Sequence, residues 1–215
     1  MADESVDDTT LTRYLESLGS SAPTPGGGAA SALAGALAAA LAEMVAQLTV
    51  GRPKYAAVDT RVREIIAQLR ELRARLLGLM ADDERAFTGV SAAYKLPKAS
   101  DDERTARDTA IQAALLEAMR PPLAVMTAAC DALALAEEIA RTGNGTVASD
   151  AGCAAILGEA AVRSAALNVL ANVVLLHDEQ AADDARKQVA DLEARAADLQ
   201  RRTLATVRER MGLKP

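Results

Sequence analysis

Aromatic side chains are nearly missing from this sequence: they make up 2% of its 215 residues, with one phenylalanine and no tryptophan. Its apolar half is mostly Ala and Leu. A core of small side chains needs backbones that approach closely, which Ala-rich helices allow. Small side chains also bury little area, at about 25 cal/mol per Å² of apolar surface. Extra stability is therefore expected from a subunit interface, and a homo-oligomer is the expected assembly.

Cysteine and histidine are equally scarce. Cys130 and Cys153 sit in Ala-rich text without metal-ligand neighbours, so they read as small buried residues in a reducing compartment and exclude a disulfide framework. The lone histidine, His177, has no second ligand beside it and reads as a surface or capping residue; no metal site is expected. Basic residues form no sustained cluster and the formal net charge is -6, which argues against a nucleic-acid partner. The start, MADESVDD, lacks the basic and apolar regions of a signal peptide, and a cytoplasmic location is expected. Residues 28–42 are almost purely apolar, but the run falls short of the roughly 20 residues a span needs and Glu43 closes it. A buried helix is expected there, not a membrane segment.

What remains is helical text. No segment alternates as a strand would, and the reading is all-α: a single-domain bundle, residues 1–215, of about six to eight helices around a central Ala/Gly-rich one. A first helix covers Thr10–Leu18, with Leu11, Leu15 and Leu18 on one face. The second runs from about Ala29 to Thr49, after the loop SSAPTPGGG. A long amphipathic helix spans roughly Ala57–Ala93, its stripe including Leu69, Leu76, Met80 and Phe87. Ser100 with Glu103 forms a capping box for a helix toward Met119, which Pro121 and Pro122 kink or restart before a further helix to Arg141. The TGNG loop then precedes a helix capped by Ser149 or Asp150, running through Ala151–Leu176. In the charged last segment Val189, Leu192, Ala196, Leu199 and Thr203 follow spacings of three and four, seating one face on a neighbour.

Residues that a plain bundle does not need are the informative ones. Pro25-Gly26-Gly27-Gly28 leaves unobstructed N–H groups at a helix start, suited to a carboxylate, a phosphate or the polar edge of a heterocycle; the alternative is a flexible turn. Arg52 and Lys54 on a constrained connection, and Lys95 and Lys98 around Pro97, either hold an anionic ligand or are solvated loop charges. Asp83 lies four residues before Phe87, near the expected core stripe. Partial burial would raise its pKa toward the range of a general base, although Asp82 and Glu84 also allow an exposed acidic patch. Ser164, Asn168 and Asn172 draw a polar line on an apolar helix, where amides either orient a ligand or bond between helices. Asn144, Ser149 and Asp150 stand before that helix and could close the same pocket.

Taken in order, PTPGGGAASALAGALAAALAEMVAQLT, GRPKY, DERAF, LPK, the Gly143-Asn144 loop, Ser149-Asp150 and LNVLANV carry a joint pattern. It resembles the cyclodeaminase/cyclohydrolase family over about Thr10–Arg210. The resemblance implies an all-helical homodimer acting on a tetrahydrofolate derivative, without a prosthetic group. It implies methenyltetrahydrofolate cyclohydrolase activity, with formimidoyltetrahydrofolate cyclodeaminase as the second choice and a non-catalytic folate-binding or scaffold protein as the third. On this resemblance Asp83 is the general base. Asp150, Asn168 and Asn172 orient the pterin or the reacting bridge, Pro25 to Gly28 with Asn144 and Ser149 line the site, and Arg52, Lys54, Lys95 or Lys98 receive the glutamate tail. Ala81 stands where the family often carries a further acidic residue.

Overall fold

The computed structural model describes residues 10–213. Six α-helices and two short 3-10 segments make up the regular structure, and no strand occurs among the described residues. The helices are α1 (Leu11–Leu18), α2 (Gly27–Gln47), α3 (Asp59–Tyr94), α4 (Asp101–Thr142), α5 (Ala148–Val173) and α6 (Glu179–Arg210). The 3-10 turns cover Pro53–Val58 and Gly145–Val147.

Helix α2 is the centre of the bundle, packed against α3, α4 and α5. By length and composition it and the stretch 145–173 are apolar enough to cross a membrane. Twelve of α2's 21 residues are nonetheless buried within this chain. Close approach depends on missing side chains. A Cβ on Gly35 would lie 3.0 Å from Leu76 Cδ2, and one on Gly158 would lie 2.8 Å from Leu133 Cγ. Around these contacts the core fills with Ala, Val and Leu, joined by Met80, Met126 and Ile139. In α6, Val189, Ala196, Leu199 and Thr203 are buried and Leu192 is partly buried, so the expected seam does seat on α4 and α5.

Several local expectations need correction. Pro121 and Pro122 neither end nor restart a helix; α4 runs unbroken from Asp101 to Thr142. Each missing N–H costs a helical bond, of the order of 3 kcal/mol with the ring clash, but both prolines are buried, and their packing offsets that cost. The capping box at Ser100 and Glu103 forms as expected. In contrast, Val147 stands at the N-cap of α5 without a side-chain bond, and Asp150 lies inside the first turn, so neither Ser149 nor Asp150 caps it. Phe87 is 44% exposed and lies off the core stripe. On α1 the buried residue is Tyr14, while Leu11 and Leu15 face outward. Cys153 is exposed, whereas Cys130 is buried, with its thiol pushed up to about 11 by that burial.

Candidate functional site

Three sequence segments far apart in the chain meet at the start of α2. The Thr24–Pro25 peptide is cis, Gly26 is the N-cap of α2 and offers no side chain, and the first turn therefore exposes its N–H groups. Asp83, from the middle of α3, fills part of this vacancy: its Oδ2 accepts from the Ala29 N–H at 3.1 Å. Gly28 is what lets the carboxylate in, since a Cβ there would sit 2.0 Å from Asp83 Oδ1. From α5, Asn168 approaches Gly27, with Oδ1 3.2 Å from the point where a Cβ would be. Gly27, Gly28, Asp83 and Asn168 thus form one cluster.

The cluster's electrostatics follow from its burial. Loss of solvent raises the Asp83 carboxyl above its ordinary range, against the lowering effect of the Ala29 N–H. Glu84 is also raised, by burial and then by the charge of Asp83. Two neighbouring carboxyls are therefore both raised by loss of solvent. Asp82 points elsewhere: it pairs with Arg85 and lines a separate groove of about 550 Å³ between α3 and α4. This resolves the run Asp82-Asp83-Glu84, whose members the sequence does not rank.

The amides are held by their own helix. Asn168 Nδ2 donates to the Ser164 carbonyl at 2.8 Å, and Asn172 Nδ2 donates to the Asn168 carbonyl at 2.9 Å. Those bonds orient both side chains and turn the Asn168 oxygen toward the glycine start. Lys95 and Lys98 are exposed just beyond α3, about 17 Å along its axis from Asp83 at the usual helical rise.

The other expected site residues lie at the far end of the bundle. Helices α2 and α5 are antiparallel: Gly27 meets Asn168, whereas Asn144 before α5 bonds Thr49 and Leu48 after α2. Asp150 is therefore about 27 Å along α5 from Asn168. Arg52, Lys54 and Ser149 share the distant end and are exposed. Asn144 is buried there and serves the turn, donating to the Leu48 carbonyl at 3.1 Å and accepting from Thr146 N–H and Oγ1–H. Within one chain these residues do not close the pocket that Asp83 occupies.

Two functional candidates escaped the sequence reading. Glu84 looks like ordinary surface charge in a run of acids, yet it supplies the second carboxyl beside Asp83. Tyr14 on α1 is only 9% exposed, and burial followed by the charges of Glu84 and Asp83 raises its phenol. The shortage of aromatics was the one signal that could have drawn attention to it.

The sequence pattern of the formiminotransferase-cyclodeaminase family matches residues 10–191. The chain belongs to this family. Among similar members, a methenyltetrahydrofolate cyclohydrolase from Methylorubrum extorquens is 43% identical over 94% of this chain and 98% of its own length. The formimidoyltransferase-cyclodeaminase of Rattus norvegicus is 32% identical over 88% of this chain, which spans 35% of that larger protein. The crystal structure of formiminotetrahydrofolate cyclodeaminase from Thermotoga maritima superposes with a TM-score of 0.86 at 31% identity, covering 95% of this chain and 98% of that one. The fold shared with that structure is all-α.

Proposed function

We propose that the protein is a methenyltetrahydrofolate cyclohydrolase, converting 5,10-methenyltetrahydrofolate to 10-formyltetrahydrofolate. The observation that carries this reading is the half-buried Asp83 carboxyl seated at an uncapped glycine helix start opposite Asn168. Full-length similarity to the Methylorubrum cyclohydrolase supports the choice of reaction.

Water must add to the carbon that bridges N5 and N10. Asp83, its pKa raised by burial, accepts a proton from that water as the C–O bond forms. The tetrahedral adduct then loses its hydroxyl proton while N5 takes one up and the N5–C bond breaks, leaving the formyl group on N10. N–H groups at the start of α2 and the Asn168 carboxamide hold the polar edge of the ligand, which keeps the bridge in reach of Asp83. No prosthetic group is needed for these steps.

The split between the two ends of the bundle favours a homodimer. Leu37 and Met44 on α2, with Ile156 and Leu167 on α5, leave apolar surface exposed on adjacent antiparallel helices. A twofold axis across that face reverses the helix direction. The partner's Arg52, Lys54, Ser149 and Asp150 are thereby carried toward Gly27, Asp83 and Asn168, where the cations can receive the glutamate tail. Lys95 and Lys98 lie beside the same end and are the alternative receivers. Such an enzyme would act in the cytoplasm.

Likeness to the Thermotoga cyclodeaminase favours a second reading, in which N10 attacks the N5-formimidoyl carbon and ammonia leaves. Paired assays separate the two. Purified protein is expected to accelerate the loss of methenyltetrahydrofolate absorbance in the near ultraviolet. Ammonia release from 5-formimidoyltetrahydrofolate without that hydrolysis would replace the first reading by the second.

A further inference from the structure

The Tyr14 hydroxyl is a buried polar atom with no hydrogen-bond partner. Only one other such side-chain atom occurs among the described residues, Glu43 Oε2, and that oxygen lies 3.4 Å from Arg73 Nη2. Tyr14 has no such compensation. Phenylalanine would fill the same space without stranding a hydroxyl, so packing alone gives no reason for the oxygen.

Its position supplies one. Helix α1 is capped locally, at its start by Thr10, whose side chain accepts from the Arg13 N–H, and at its end by the Gly19 N–H bonding back to Leu15. It holds Tyr14 in the core cluster that also contains Ala29, Ala32 and Met80. Burial, then the charges of Glu84 and Asp83, raise the phenol, which therefore stays protonated and is a donor at neutral pH. Both carboxyls act on the hydroxyl and neither is within direct bonding distance. One donor and two acceptors beyond direct bonding distance are groups that a single water can join.

We propose that Tyr14 is a positioning residue for the reaction: through one internal water its hydroxyl holds the Asp83–Glu84 carboxyl pair from the α1 side. Asp83 Oδ2 is already held by Ala29, so this second tether fixes the remaining rotation of the pair and keeps Oδ1 directed at the reacting carbon. Tyr14 stays protonated throughout. The assignment rests on the folate reading of the site.

Tyr14→Phe in the full chain tests it by kinetics and thermal melting together. A kcat lowered roughly tenfold, with KM within about twofold, is expected because a loose base is misplaced while the ligand still binds. The melting temperature is expected to hold within a few degrees, since only one water-mediated bond is lost. An unchanged kcat, or a loss of activity that merely follows a lower melting temperature, overturns the assignment. Should the wild-type protein open neither methenyltetrahydrofolate nor 5-formimidoyltetrahydrofolate, the folate reading falls and Tyr14's role with it. An active wild type with an equally active Tyr14→Phe removes the role of Tyr14 alone.

Discussion

Asp83 accepts from the first turn of α2 and is the proposed base, and the two duties pull in opposite directions. Replacing it with asparagine keeps an acceptor for the Ala29 N–H but removes the charge. Hydrolysis is expected to fall by about 10²–10⁴-fold while folate binding persists, as measured by steady-state kinetics and calorimetric titration. Stability should move the other way. The folded pKa of Asp83 is raised above the free value of 3.8, so its protonated form stabilises the protein at low pH and that contribution disappears as pH rises through the folded value. Asp83→Asn should therefore melt higher than wild type at pH 7, and the gain should shrink as the solution is acidified. An equal gain at every pH would contradict the burial argument. For the same reason the acid limb of kcat/KM should lie above the pKa of a free aspartate. The glycines beside it make a graded pair. Gly28→Ala forces a Cβ to within 2.0 Å of Asp83 Oδ1, at an overpacking cost of about 1–3 kcal/mol and with loss of activity. Gly27→Ala meets only the Asn168 amide at 3.2 Å and should be tolerated within about 1 kcal/mol. Comparable denaturant midpoints for the two variants would refute this ordering.

Among the elements, the joint between α4 and α5 carries the clearest stability prediction. Asn144 ties that turn to the end of α2 through Leu48, and its oxygen serves Thr146. Asn144→Ala removes the bonds to the half-buried Leu48 carbonyl and to the exposed Thr146, and should cost about 1 kcal/mol in urea unfolding. A loss below about 0.5 kcal/mol would mean that solvent replaces those bonds freely. Reading elements from sequence succeeded where a local signal was sufficient, as at the Ser100–Glu103 capping box and the seam of α6. It failed in part at Pro121-Pro122, where no restart occurs because burial in the core outweighs the local preference for a break. It failed again at Phe87: apolar character suggested the core, but the turn of α3 places Phe87 outside while Asp83 faces α2.

For the molecule as a whole, the antiparallel course of α2 and α5 makes assembly the decisive test. Asp83→Asn and Lys54→Ala homodimers should each be impaired, through different copies of the same composite site. Mixing the two under conditions of subunit exchange should restore up to about a quarter of wild-type activity, because half of the dimers are mixed and each contains one intact site. No recovery, with exchange verified by mass spectrometry, would place Lys54 outside the site. The sequence by itself determined the helical class, the Ala/Gly-rich centre and a set of candidate residues that includes Asp83 and Asn168, because periodicity, capping and residue type are local properties. Only the tertiary structure decided which of them meet. Packing direction sends Asn168 to Gly27 and Asp150 to the opposite end, and burial singles out Asp83, Glu84 and Tyr14 from neighbours of the same chemistry. Both are consequences of contacts between distant segments, which no local pattern encodes.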